Sequence, residues 1–268
     1  ILPPSLLERV VDEVLLFEKS EREARAKEVE GGHYMHGKGG TFWRPLFNSQ
    51  GEFLKPRFAI EAAIQLIYQT DIGKYKHDRV SGGEWWVQRR DEREDIGFHH
   101  DKDESLASNK MTMKFPEVST VTYLSPIGGP TLIFNQTTLD GNSETPAVPS
   151  RGFLSYPYHN RHMIFRGNLQ HGVPGHLALP LTGSSVNLRG GKRITLLINW
   201  WNDKPLGPNC NKVDTKRAKS LGVYDKEGMA ALMASPEVQG HRPTAVATER
   251  LHVPTARAER ERHAVKLA

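Results

Sequence analysis

The chain has 268 residues, 37% hydrophobic and 25% charged, enough to bury one sizeable core or two small ones. Mean hydropathy is −0.54, and no run of about 18 uncharged apolar residues occurs, which disfavours a membrane span. The one cysteine, Cys210, excludes an internal disulfide framework and a multi-cysteine zinc or iron–sulfur site, and an intracellular, cytoplasmic location is expected.

The formal net charge of +5 is uneven. From Asp203 onward six lysines and six arginines face eight acidic residues, so +4 lies in the tail and only +1 on residues 1–202. A basic tail leaves an anionic partner such as nucleic acid open; the nearly neutral body argues against one. The plainer expectation is a solvated extension. Ile1 is not a methionine, which leaves a trimmed targeting segment open. Residues 1–20 lack the basic start and small-residue cleavage site of a signal peptide.

In chain order, Leu6, Leu7, Val10, Val11, Val14, Leu15 and Phe17 recur near the helical period and predict a helix over 5–30, ending in a charge-rich run. The glycine-rich stretch at 31–40, with His33 and His36, predicts an exposed loop. A second, well-buried helix is expected at 58–70. From Glu84 the pattern changes to short strands at 84–88, 96–101, 118–124, 130–135, 151–156, 161–167, 169–173 and 193–201, separated by Gly, Pro, Asn and Asp. Without helices between the strands, a doubly wound parallel sheet is disfavoured. A closed barrel or jelly roll with helices packed on one face is expected. After Trp201 the pattern fades, with one short helix near 226–234. The expected organisation is therefore N-terminal helices and loop over 1–83, a β core over 84–202 and a basic polar extension over 203–268.

The chemistry concentrates in the strands. His99 and Asp101 lie two apart, so on a strand they project to one face while His100 points away. An imidazole and a carboxylate can take two adjacent positions on a metal, and a third ligand from a distant strand completes the facial arrangement suited to non-haem Fe(II). His171 sits in a short apolar strand, followed by Gly172, which permits close backbone approach. His162, opening a strand, is its rival for the third position; His159 and His176 lie in turns and are peripheral. Asp103 and Glu104 are expected to be solvated or to support the metal pair. Arg193 and Thr195 share one face of the last strong strand, where a guanidinium and a hydroxyl can grip a carboxylate. Trp85, Trp86, Trp200 and Trp201 form adjacent pairs, so one of each pair faces outward, where it could border a groove. Cys210 is expected to be a spectator.

The order H-x-D, then His171, then R-x-T, each on its own strand, resembles the Fe(II)- and 2-oxoglutarate-dependent dioxygenases. The resemblance covers about residues 84–201 and implies a double-stranded β-helix, or jelly-roll, core. It implies iron held by His99, Asp101 and His171, and 2-oxoglutarate held by Arg193 with Thr195; Tyr123 would line that pocket. O₂ would be the second co-substrate, and succinate and CO₂ the by-products. The carboxylate of Asp101 would fill the place a halide needs, which favours hydroxylation, or demethylation through it, of a protein side chain or small metabolite. The spacing departs from the family: His171 and Arg193 are 22 apart where roughly ten is commoner, so Arg189 and Lys192 stand as substitutes for Arg193. Two other classes stay open: a cupin-like metalloprotein without 2-oxoglutarate chemistry, and a binding module that has lost turnover.

Overall fold

The computed structural model describes residues 1–30, 40–75, 80–137, 149–180, 191–206, 210–244 and 249–252. The loop bearing His33 and His36, the turn at 138–148, Arg189 and the chain beyond 252 lie outside the described residues.

The first expected helix is α1 (Pro4–Glu30) and the second is α2 (Ala59–Thr70). Leu6, Val10, Val14 and Phe17 of α1 are fully buried, as their spacing requires. Along α2, Ala59–Ile64 and Leu66–Tyr68 are all buried, because the helix is sandwiched between α1 and a sheet. Its first turn has no side-chain cap of its own. The Glu13 carboxylate of α1 instead accepts from Ala59 N (2.7 Å) and Ile60 N (2.8 Å), satisfying two of the amides every helix start leaves open. Burial outweighs those two bonds and pushes the Glu13 carboxyl up to about 7.

All eight expected strands form: β2 (Gly82–Asp91), β3 (Ile96–His99), β4 (Val118–Tyr123), β5 (Thr131–Phe134), β6 (Arg151–Ser155), β7 (His162–Arg166), β8 (His171–Val173) and β9 (Lys192–Trp201). Two four-residue strands, β1 (Phe42–Pro45) and β10 (Glu249–His252), were not expected from the sequence; each is too short to show a period. The strands make two five-stranded sheets, ordered β1-β2-β9-β4-β7 and β10-β6-β5-β8-β3, with antiparallel pairing throughout. Among the described residues no ladder joins the two sheets, so the closed-barrel alternative is not what forms. The sheets meet through side chains: the Tyr123 hydroxyl on β4 lies 2.7 Å from Thr131 Oγ1 on β5 and 2.8 Å from the Ser155 carbonyl on β6.

Strand alternation divides the first sheet into two faces. Trp85, Ile194, Leu196, Ile198 and Trp200 pack against α1 and α2, while Trp86, Gln88, Tyr123, Arg193 and Thr195 turn to the other sheet. Residues after Trp201 are more than a polar extension. Val213, Ala218, Val223, Met229 and Val238 belong to the same buried core as the two N-terminal helices. They are carried by α4 (Thr215–Ser220), α5 (Lys226–Ala234) and α6 (Pro236–Gly240) and their connections. Their isolated apolar residues show no long stripe, which is why the sequence reads as solvated. Only α5 was expected, although Asp214, Asp225 and Ser235 each cap a helix start in the usual way. No described helix is long and apolar enough to cross a membrane.

Candidate metal centre and adjoining pocket

His99 on β3 and His171 on β8 are direct partners in the antiparallel pairing, so their rings stand side by side with centroids 4.4 Å apart. Gly172 lets this happen: a Cβ there would lie 2.8 Å from the Ile96 carbonyl. Asp101 follows two residues beyond His99, just past the end of β3. Its Oδ1 is 3.9 Å from His99 Nε2 and its Oδ2 is 3.6 Å from His171 Nε2. One ligand atom from each of the three residues lies within 4.8 Å of the other two.

Both imidazoles are oriented in the same way. His99 Nδ1 is 2.7 Å from the Gly97 carbonyl and His171 Nδ1 is 3.0 Å from the Leu169 carbonyl, each two residues back in its own strand. A carbonyl can only accept, so each Nδ1 carries the proton and each Nε2 presents a lone pair to Asp101. His171 is nearly buried and meets the Phe165 ring edge-on at 4.8 Å, whereas His99 is exposed. Asp101 is steadied by Ser119 on β4, whose hydroxyl donates to Oδ2 at 2.7 Å. Two aligned imidazole lone pairs and one anchored carboxylate form a donor set that fits a divalent first-row metal.

The rival histidine lies on the opposite face of its sheet. His162 pairs with Thr122 across β7 and β4, and its Nδ1 is 2.8 Å from the Thr122 hydroxyl. Burial pushes its imidazole down to about 3, so it stays neutral away from the donor set. His159 and His176 are exposed. His100 turns toward Phe115 instead, with ring centroids 6.4 Å apart.

Asp103 and Glu104 differ from each other. Asp103 is buried and caps α3 (Glu104–Lys110), accepting from Ser105 N and Leu106 N at 3.0 Å and from Leu206 N at 2.8 Å. That helix was not expected, although Asp103 is its signal. Glu104 is exposed and faces Lys102 at 3.5 Å. Of the tryptophan pairs, Trp86 lines both the narrow and the wide cavity beside the donor set. Trp201 is covered by Trp43 and Cys210, and burial pushes the Cys210 thiol up to about 12, keeping it protonated and unreactive at neutral pH.

From the donor set a narrow cavity of about 30 Å³ is lined by Trp86, Gln88, Val121, Thr131 and Leu197 and includes Arg193. The Arg193 side chain is 2% exposed. Its Nε donates to the Gly129 carbonyl at 3.3 Å and its terminal nitrogen to Thr131 Oγ1 at 3.1 Å. Its guanidinium carbon sits 5.4 Å from the centre of the Tyr123 ring. Gly128, at φ +105°, makes room for it: a Cβ there would lie 2.7 Å from Arg193 Cδ. Among the described residues no carboxylate pairs with Arg193, and burial pulls its pKa down. Thr195 Oγ1, on the same face of β9, is buried without a hydrogen-bond partner. A buried cation and an orphaned hydroxyl side by side fit an incoming carboxylate. Lys192, the other described stand-in, is paired with Asp91 at the sheet margin. A wider cavity of about 850 Å³ opens beside His99 and Asp101 and is also lined by Phe17 and Glu21 of α1.

The chain is similar to solved structures of the 2OG-Fe(II) oxygenase family. One is a prolyl-4-hydroxylase from Pseudomonas putida, 16% identical, with a TM-score of 0.36 over 78% of this chain and 98% of that one. Another is an oxidoreductase of the 2OG-Fe(II) oxygenase family from Burkholderia pseudomallei, 15% identical, with a TM-score of 0.33 over 61% of this chain and 65% of that one. A third is HygX from Streptomyces hygroscopicus with nickel and 2-oxoglutarate bound, 16% identical, with a TM-score of 0.26 over 44% and 56% of the two chains. No protein-family model and no curated protein matches the sequence. Overlap this loose says nothing about chemistry, so function has to be read from the side chains.

Ser119, Thr131 and Gln88 were missed in the sequence. Ser119 and Tyr123 share one strand face with Val121 between them, so alternation alone could have flagged Ser119. Thr131 and Gln88 gain meaning only from the sheet pairing.

Proposed function

We propose that this chain is an Fe(II)- and 2-oxoglutarate-dependent dioxygenase that hydroxylates a protein side chain or a small metabolite. One observation carries the reading: a single narrow cavity has His99 and His171 at its walls together with a buried Arg193 that pairs with no carboxylate among the described residues. In this reading the interleaved strand order is that of a double-stranded β-helix, with β2, β9, β4 and β7 in one sheet and β6, β5, β8 and β3 in the other. Residues 84–202 are its catalytic core, and the described parts of 1–83 and 203–268 pack around it.

His99, Asp101 and His171 would hold the iron, and Arg193, Thr195 and Tyr123 would hold 2-oxoglutarate. The bound metal would supply oxidative decarboxylation of 2-oxoglutarate by O₂ to succinate and CO₂, coupled to oxygen insertion into a substrate C–H bond. The protein's part is positional. The Gly97 and Leu169 carbonyls fix the imidazole tautomers, Ser119 holds Asp101, and Arg193 orients the far end of the co-substrate. Trp86 and Leu197 narrow the channel and exclude water from it.

The test is anaerobic metal titration, followed by succinate release without added substrate. One Fe(II) per chain and slow 2-oxoglutarate-dependent succinate formation are expected, both lost in His171→Ala. Stoichiometric metal without succinate in any condition would overturn the dioxygenase reading in favour of a cupin-like metalloprotein. Neither metal nor turnover would leave a binding module.

A further inference from the structure

Two buried oxygens on neighbouring strands have no hydrogen-bond partner: Gln88 Oε1 and Thr195 Oγ1. Gln88 and Thr195 are direct cross-strand partners on β2 and β9, so both project to the face that carries Arg193. Buried polar groups left unsatisfied are uncommon, and a pair of them beside a guanidinium with no carboxylate partner among the described residues needs one explanation. Level with Arg193 on β2 stands Arg90, but Arg90 is engaged by Glu94 at 2.5 Å. Gln88, level with Thr195, is the next residue along that face of β2 and carries a buried oxygen with no partner. It also lines both the narrow and the wide cavity.

We propose that Gln88 is a third contact to the distal carboxylate of 2-oxoglutarate, beside Arg193 and Thr195. This rests on the dioxygenase reading. An amide presents either its oxygen or its NH₂ after a half-turn about its last bond. With the NH₂ inward, Gln88 donates to one carboxylate oxygen while the Thr195 hydroxyl and Arg193 supply the other donors. A carboxylate has about four acceptor sites, so three such donors are accommodated without crowding. Gln88 thereby distinguishes a dicarboxylic 2-oxo acid from a monocarboxylic one.

The experiment measures binding of 2-oxoglutarate and of pyruvate, which has no distal carboxylate, to the Mn(II)-loaded chain without oxygen. Gln88→Leu removes the donor and should weaken 2-oxoglutarate roughly three- to tenfold, the range for one neutral hydrogen bond. Gln88→Glu sets a like charge against the ligand and should weaken it by at least roughly a further tenfold. Pyruvate affinity and Mn(II) stoichiometry should match wild type in both variants. Wild-type 2-oxoglutarate affinity in both variants would overturn this inference and leave the dioxygenase reading standing. Equal losses for pyruvate would also overturn it, since a distorted site loses both ligands. Failure of the wild-type chain itself to bind 2-oxoglutarate would remove the dioxygenase reading and this contact with it.

Discussion

Arg193→Met should leave the ligand-free protein close to wild type in stability while removing its response to 2-oxoglutarate. The guanidinium is 2% exposed, is held by hydrogen bonds of 3.3 and 3.1 Å to Gly129 and Thr131, and has no carboxylate partner among the described residues. Holding a charge in the interior without a counterion costs several kcal/mol of desolvation, which an apolar side chain of similar length avoids. The two lost hydrogen bonds from a charged donor offset roughly 3–6 kcal/mol of that, although Thr131 keeps the Tyr123 hydroxyl at 2.7 Å. In a chain of this size about 1 kcal/mol moves Tm by roughly 2–4 °C, and with two opposing terms of similar size the ligand-free Tm should stay within several degrees of wild type. Ligand separates the two proteins. At 100 times its Kd, 2-oxoglutarate should stabilise the wild type by about 2.7 kcal/mol. If losing the charged contacts weakens binding about a hundredfold, the same concentration stabilises the variant by only about 0.4 kcal/mol. Thermal melts of the Mn(II)-loaded wild type and variant, with and without 2-oxoglutarate, check both halves. A variant that melts lower than wild type yet keeps the full ligand shift would show that Arg193 is structural.

Ser119→Ala deletes the bond that steadies Asp101 and should weaken Fe(II) or Mn(II) about tenfold, the low end for partners of metal ligands; an unchanged titration would remove Ser119 from the site. Glu13→Gln bears on stability against pH. The folded carboxyl titrates near 7, above its ordinary 4.5, so the folded chain binds more protons between those values. The contribution of Glu13 is therefore present below about 4.5 and lost as pH rises through 7, a change on the order of 3 kcal/mol. Urea melts at pH 5 and pH 8 should show a smaller difference for the variant; the same difference as wild type would rule the effect out. A chain ending at residue 209 loses Val213, Ala218, Val223, Met229 and Val238 from the core. At about 1.5–3 kcal/mol for each of the four larger side chains that matches the whole stability of many domains, so circular dichroism should show it unfolded, while a chain ending at 244 stays folded.

Local periodicity determined much of this protein. The alternation of Phe98-His99-His100-Asp101 put His99 and Asp101 on one side, and all eight core strands, α1, α2 and α5 were legible because their signals lie within one strand or a few helical turns. The partition of the charge was legible too, but its meaning was not: apolar residues scattered from Val213 to Val238 close over the N-terminal helices, and no pattern within the segment reports that. Tertiary structure alone decided which histidine joins His99. His162 and His171 look alike in sequence, yet one strand pairs with β4 and turns its ring to the Thr122 face, while the other pairs with β3 and stands opposite His99. The same holds for Arg193, whose 22-residue separation from His171 leaves its place undetermined until β9 is laid between β2 and β4. Side-chain direction follows from neighbouring residues, whereas the partner across a sheet depends on which distant segments bury the most surface together, and that is a property of the whole chain.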